Sequence, residues 1–319
     1  MKAPSVGAYY GGIGGALLGA GWAGYDVVYN YEPRAFFNLA TWNANFPTSE
    51  YIEGGSPPPL DWVDFPEVDL VIGSPDCKQF SNLGTKRKDR KTLNQVDPNS
   101  FDYVDFLHFV ALSKPKCFIL ENVPNILNYL KFKENVLNYV GWEKPVLILE
   151  DYTIQTIILN AKDFGVPQSR KRAFVIGSKS FKPDYDTDYN ELSFLTDYYI
   201  GKTVSSAFED ISPTQDLPNH SAKRIEGFKN LRVGESYYDS QNNKRLDSNK
   251  VAGTVASHCS RFVHPTEPRV ISKRETARLM GFPDNFKFIG RESEILDQIG
   301  KSIVPQVAFS ITSYLRNQL

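Results

Sequence analysis

Up to residue 178, apolar runs of strand length alternate with segments of helical period. VGAYY (6–10) reads as a strand running into the turn GGIGG (11–15) and then the helix-capable ALLGAGW. YDVVYNYE (25–32) is a second strand, ending on Glu32, and AFFNLATWNANF (35–46) carries apolar residues at helical spacing. VDLVIGSPDC (68–77), KCFILENV (116–123), TIQTIILN (153–160) and RAFVIG (172–177) read as further strands. Strands separated by helical segments predict an α/β fold, a parallel sheet with helices on both faces. Past residue 178 the pattern breaks into short Asp/Tyr/Ser/Asn-rich pieces. A helix resumes at ISKRETARLMGF (271–282), and IVPQVAFSITSYL (303–315) is apolar enough to pack back on the first part. The expected division is a sheet domain of residues 1–180 plus 285–319 and a smaller domain of 181–284.

Composition narrows the class without changing this picture. With 41% hydrophobic and 23% charged residues the chain has an ordinary globular balance, which excludes a disordered or fibrous protein. Its apolar runs fall far short of the ~18 residues of a membrane span. Residues 1–10 lack the pattern of a signal peptide, so a cytoplasmic protein is expected. Cys77, Cys117 and Cys259 are odd in number and widely spaced, which argues against disulfides and against a metal site. The net charge is −1, yet the charge is sorted: residues 181–219 hold eight acids and two bases, residues 220–275 eleven bases and six acids, and KRKDRK (86–91) five bases and one acid.

A strand, a glycine-rich turn opening a helix, and a second strand ending in an acid form the arrangement of nucleoside-binding α/β folds. Glycines let backbone approach the ligand and the acid bonds ribose hydroxyls. The formal G-x-G-x-x-G match, Gly19–Gly21–Gly24, falls after the expected helix and is read as a decoy. The turn lacks the third glycine of a dinucleotide site, so a nucleoside without pyrophosphate, such as S-adenosylmethionine, fits better than NAD.

Ligands of parallel sheets sit outside the carboxyl ends of the strands. Cys77 follows DLVIG at such an end, in a Pro-broken polar turn beside Lys78, whose charge is expected to lower the thiol pKa. Cys117 lies inside an apolar strand and reads as inert; Cys259 is a loop cysteine without a role. Glu121 ends the strand of CFILENVP. A thiolate and a carboxyl at neighbouring strand ends suit addition of sulfur to C6 of a pyrimidine, with the acid acting at N3. C5 then attacks an electrophilic methyl group.

In these residues the sequence resembles the DNA (cytosine-5) methyltransferases, over both ends of the chain. GGIGGALLGAGW resembles the family's first motif, with Tyr10 where a stacking Phe is usual, and Glu32 matches its ribose-binding acid. SPDCKQFSNLG resembles the Pro-Pro-Cys-Gln nucleophile motif and Glu121–Asn122–Val123 the Glu-Asn-Val motif. Gln168–Ser169–Arg170–Lys171–Arg172 is similar to the Gln-x-Arg-x-Arg motif, RETARLMGFPD (274–284) to the support of the target recognition domain, and QIGKSIVPQVA (298–308) to the last motif. The resemblance implies a Rossmann-like S-adenosylmethionine-dependent methyltransferase sheet with a small target recognition domain. It implies catalysis by Cys77, Glu121, Arg170 and Arg172, with a cofactor pocket of Tyr10, Gly12, Ile13, Gly14, Gly15, Glu32, Pro75, Lys301 and Ser302.

Five departures stand out. Ala8 occupies the usual place of an Asp, and Gly55 that of an adenine-binding Asp. Asp76 and Lys78 replace the second Pro and the Gln around the nucleophile, and Lys301 replaces the Asn of the last motif. An ammonium near a sulfonium is unfavourable. Either Lys301 turns away or pairs with an acid, or the pocket takes a carboxylated S-adenosylmethionine and transfers carboxymethyl. The same motifs are also compatible with a catalytically inactive DNA-binding homologue, or with an enzyme acting on cytosine in RNA.

Cytosine C5 is unreachable inside a stacked duplex, so the base must be flipped out. The resemblance places Lys86, Arg87, Lys88, Arg90 and Lys91 on a loop that closes over double-stranded DNA, and Gln168, Arg245 and Arg261 are expected as further DNA contacts. Residues 220–268 hold the positive excess, with Arg224, Arg232, Arg245 and Arg261 interleaved with Asn242, Asn243, Ser257 and His258. Phosphate contacts position such a domain and groove contacts choose the sequence. The expected enzyme acts as a monomer.

Overall fold

The structure is a computed structural model that describes residues 2–33, 36–54, 66–77, 80, 102–128, 149, 151–180, 201–211, 217–238, 242–256 and 262–319. Strands β1 (Ser5–Tyr9), β2 (Asp26–Glu32), β3 (Glu50–Glu53), β4 (Leu70–Gly73), β5 (Cys117–Asn122), β6 (Thr153–Asn160) and β7 (Lys171–Ser178) form a sheet in the order β3-β2-β1-β4-β5-β7-β6. The strand order reverses between β1 and β4, where open α/β sheets hold their ligands.

The sheet is mixed, which corrects the expectation of an all-parallel one. β7 pairs antiparallel with both β5 and β6, and every other pairing is parallel. Residues 161–170, which join β6 to β7, hold only a 3-10 turn at Ala161–Phe164. That is too short for the dozen or more residues of a parallel crossover, so the chain turns straight back. The reversal brings the start of β7 to the carboxyl end of β5, with Phe174 opposite Glu121 and Ala173 opposite Asn122. Edge strand β3 was not anticipated from the sequence.

Helices α1 (Gly15–Trp22), α2 (Leu39–Asn45) and α3 (Asp102–Ser113) belong to the first half of the chain. Later come α4 (Val204–Phe208), α5 (Ala222–Lys229), α6 (Lys273–Leu279), α7 (Glu292–Lys301) and α8 (Pro305–Arg316). Strand alternation divides the core. Val6, Leu70, Ile119 and Ile176 face one buried cluster with α1 and α8, while Tyr9, Val71, Phe118 and Val175 face another with Phe106 and Phe109 of α3. Gly19 and Gly21 lie inside α1, not after it, and Gly24 follows at φ +86°. Gly19 serves packing: a Cβ there would stand 2.2 Å from the Pro305 carbonyl oxygen, so α8 lies directly on the α1 backbone.

A second sheet, β8 (Ser236–Tyr237), β9 (Asn243–Arg245) and β10 (Phe262–Val263), has its own small buried group of Phe228, Val263 and Val270. Val204, Leu246, Val255 and Leu279 instead join the main buried cluster with Val6 and Leu17. Among the described residues no helix is long and apolar enough to cross a membrane.

Candidate active site

The turn after β1 is built on left-handed backbone. Tyr10 takes φ +60° and donates its N–H to the Tyr31 carbonyl at 2.9 Å; Gly12 and Gly14 follow at φ +59° and +89°. Gly12 N–H donates to Glu32 Oε2 at 2.9 Å, which holds the buried acid at the end of β2 against the turn. A Cβ built on Gly12 would meet nothing within 4 Å, so the turn opens onto free space beside that carboxylate. Open glycine backbone beside a buried strand-end acid fits a ribose-bearing ligand. Ile13 is buried beneath the turn. Gly15 opens α1 so close to the last motif that a Cβ would lie 2.1 Å from Ser302 Oγ. Tyr10 packs edge-on against Tyr9 at 4.6 Å, and its hydroxyl lies 3.4 Å from Asp105 Oδ2.

Lys301 ends α7 and is held by an acid. Its Nζ sits 2.6 Å from Oδ2 of Asp297, one helical turn earlier; the lysine side chain is half exposed and the carboxylate buried. The positive charge is thus already balanced within α7. That pairing removes the reason for a carboxylated donor, which nothing in the similar proteins supports.

At the other half of the site Ser74 and Pro75 continue from β4 to Cys77, which is partly exposed. Burial raises the Cys77 thiol pKa, as do the Glu121 and Asp76 carboxylates, against the opposing pull of Arg172 and Arg170. Among the described groups the balance favours the neutral thiol, while Lys78, from which a lowering is expected, lies outside them. Glu121 is 4% exposed and held at both oxygens. Arg172 Nε lies 3.0 Å from Oε1, and Ser74 Oγ donates to Oε2 at 2.6 Å. Asn122 donates to the Pro75 carbonyl at 3.0 Å and ties the nucleophile turn to β5.

Arg170 is buried, which pushes its pKa down to about 9, with the Arg172 charge adding to the effect. Its Nη1 donates to the Val255 carbonyl at 2.9 Å, and Nη2 to those of Gly300 and Ser302 at 3.0 and 3.1 Å. With those donors spent on backbone it cross-links the 170, 255 and 300 segments, while Arg172 makes the ion pair with Glu121.

Two residues read as DNA contacts are structural, because their polar groups are consumed inside the fold. Gln168 is fully buried; its Nε2 donates to the Leu279 carbonyl at 2.7 Å and its Oε1 accepts the Val255 N–H at 2.8 Å. Arg245 is buried and donates to the carbonyls of His264, Pro265 and Phe228, stitching the small sheet together. Arg224 Nη2 donates to buried Asn243 Oδ1, whereas Arg232 is exposed. Asn242 sits at φ +54°. Lys86, Arg87, Lys88, Arg90, Lys91 and Arg261 lie outside the described residues, as do Gly55, Lys78, Ser257, His258 and Cys259. The sequence reading overlooked Ser74 and Asn30; the strand-end rule could have found the first, and an Asn amid the apolar residues of DVVYNYE the second.

Residues 9–317 match the family model of C-5 cytosine-specific DNA methylases. Type II methyltransferase M1.HphI of Haemophilus parahaemolyticus is 26% identical over 323 residues, covering 95% of this chain and 84% of the relative. M.DdeI of Desulfomicrobium norvegicum, also a type II methyltransferase, is 28% identical over 365 residues, covering 94% and 85%. Among solved structures, one described as a DNA modification methyltransferase encoded within an E. coli prophage superimposes with a TM-score of 0.78 at 26% identity, over 99% of each chain. With a family model spanning nearly the whole sequence and a sheet of the matching kind, the chain belongs to the C-5 cytosine-specific DNA methylases.

Proposed function

We propose that Cys77 is the nucleophile of this cytosine-C5 methyltransferase and that Glu121, held by Arg172 and Ser74, is its acid at N3. The observation that carries this is the Ser74–Glu121–Arg172 chain of contacts at the strand ends beside Cys77. The Cys77 thiol gives up its proton to solvent and its sulfur adds to C6 of a flipped cytosine, while a proton shared with Glu121 supports N3, which makes C5 nucleophilic. S-adenosylmethionine, held by Tyr10, the 12–15 turn, Glu32, Pro75 and Ser302, supplies the electrophilic methyl group. After transfer C5 gives its proton to a base and the C6–S bond breaks, releasing Cys77.

Residues 181–284 are the proposed target recognition domain, and the bases of 86–91 the proposed phosphate contacts on duplex DNA. The monomer would act in the cytoplasm, as the modification partner of a restriction endonuclease, a place that the type II relatives support.

Duplex DNA carrying 5-fluorocytosine at the target tests the assignment, because fluorine cannot leave as a proton does. Wild type should be trapped covalently and Cys77→Ala should not, while DNA methylated by wild type yields 5-methylcytosine by nucleoside mass spectrometry. Trapping of Cys77→Ala through Cys117 or Cys259 would assign a different nucleophile.

A further inference from the structure

We propose that Asn30 is a positioning residue for the cofactor, carrying on β2 the polar group that the family resemblance places on β1 at Ala8. The inference rests on the reading of the 11–15 turn as the S-adenosylmethionine site. Ala8 and Asn30 are direct cross-strand partners in the β1–β2 pairing. Both are fully buried. Asn30 Oδ1 accepts the Gly11 N–H at 3.2 Å, and its Nδ2 donates to the Gly12 carbonyl at 2.9 Å. One carboxamide thus grips the peptide groups on both sides of the Gly11–Gly12 step. The grip is close: a Cβ on Gly11 would lie 2.3 Å from Asn30 Oδ1 and 2.7 Å from the Ala8 Cβ.

Two adjacent glycines have many backbone states, and fixing them is costly in entropy. Asn30 removes that freedom before any ligand arrives. Its grip holds Gly12 at φ +59°, the conformation in which the Gly12 N–H meets Glu32. Preorganisation of this kind appears as affinity, since the ligand need not order the turn itself. An alanine at position 8 leaves the space under the turn to the side chain from the neighbouring strand. The departure at Ala8 and the buried Asn30 are then one exchange, a polar anchor moved across a strand pair.

The experiment measures S-adenosylhomocysteine binding to the full chain by calorimetry, DNA binding by titration, and KM and kcat for S-adenosylmethionine. Asn30→Ala should weaken S-adenosylhomocysteine at least tenfold and raise KM similarly, with kcat and DNA affinity nearly unchanged. Ala8→Asp in the Asn30→Ala background should recover most of that loss. Ala8→Asp in the presence of Asn30 should weaken binding through crowding. Asn30→Asp, which keeps the acceptor for Gly11 and gives up the donor to Gly12, should fall between and guards against a misfolded alanine variant. Normal binding by both Asn30 variants overturns the proposal, and so does a loss that Ala8→Asp fails to restore. A wild type that binds neither nucleoside overturns the reading of the site itself, and this inference with it.

Discussion

At the scale of single residues, the site holds a thiol in a setting that disfavours the thiolate. Burial and the Glu121 carboxylate act together on Cys77, so the free enzyme should alkylate slowly at neutral pH and faster as pH rises past the ordinary cysteine range. Glu121→Gln removes the carboxylate that acts most strongly on the thiol and leaves Arg172 in place. Iodoacetamide labelling of Cys77 at pH 8, read by peptide mass spectrometry, should become faster in that variant. Turnover should meanwhile fall ~10²–10⁴-fold, the usual loss on removing a positioned acid. Slower labelling would mean that the carboxylate does not set the thiol's state. Cys77, Glu121, Arg172 and Glu32 were legible because reactive types stood at strand ends in an ordered set of motifs. Ser74 and Asn30 left weaker signals, a serine just past a strand end and an Asn within an apolar strand, whose meaning depends on partners that only the fold supplies. Gln168 and Arg245 misled for the opposite reason: a polar type suggests surface, and only the fold reveals carbonyls waiting inside.

At the scale of elements, α1 and α8 make a contact that helix propensity alone would misjudge. Gly19→Ala should gain up to ~1 kcal/mol as a helix interior substitution. The added Cβ, however, would stand 2.2 Å from the Pro305 carbonyl oxygen and 2.7 Å from the Phe309 nitrogen, both backbone atoms that cannot rotate away. Overpacking costs about 1–3 kcal/mol, so the clash wins and the variant should be less stable. Gly21→Ala is the control, since its Cβ would meet only Val27 Cγ2 at 3.9 Å. Urea melts should move in opposite directions for the two. The same segment drew a formal glycine motif in the sequence, and packing against α8 is what Gly19 provides. Strand existence was largely legible from apolar runs, whereas strand direction was not, because LVIG and AFVIG look alike read either way along a sheet. The ten residues between β6 and β7 held the missing clue. β3 escaped notice because EYIE is only four residues long, begins and ends on Glu, and lies at a sheet edge without a buried face.

At the scale of the molecule, the small sheet is joined to the main body through buried charge as well as through apolar contact. Arg269 makes a two-pronged ion pair with Glu275 at the start of α6, both contacts 2.8 Å, and reaches Glu267 at 2.7 Å. Glu275 also closes the capping box of α6 with Ser272. His264 completes the group. Its Nδ1 accepts the backbone N–H groups of Thr266 and Glu267 at 3.3 and 3.1 Å, so the proton resides on Nε2, which lies 3.5 Å from Glu275 Oε1. A second proton would have to enter at Nδ1, against those two donors. Burial lowers the His264 pKa, an effect that the Arg269 and Arg245 charges reinforce and the Glu275 and Glu267 carboxylates oppose. The unfolded chain therefore binds the proton first, and stability present above the ordinary value of 6.5 is lost as pH falls below it. Glu267, whose pKa is lowered chiefly by its hydrogen bond to Arg269, adds a second loss below 4.5. The two groups act in the same direction in successive windows, so acid should loosen the junction between small sheet and core in two stages. His108 and His220 are lowered by burial as well and contribute to the first stage. Urea melts between pH 7.5 and 5 should thus show a falling midpoint in wild type and a shallower fall in His264→Gln, which cannot titrate. An equal fall in both would place the whole early loss on the other histidines and leave the junction insensitive to pH above the carboxylate range.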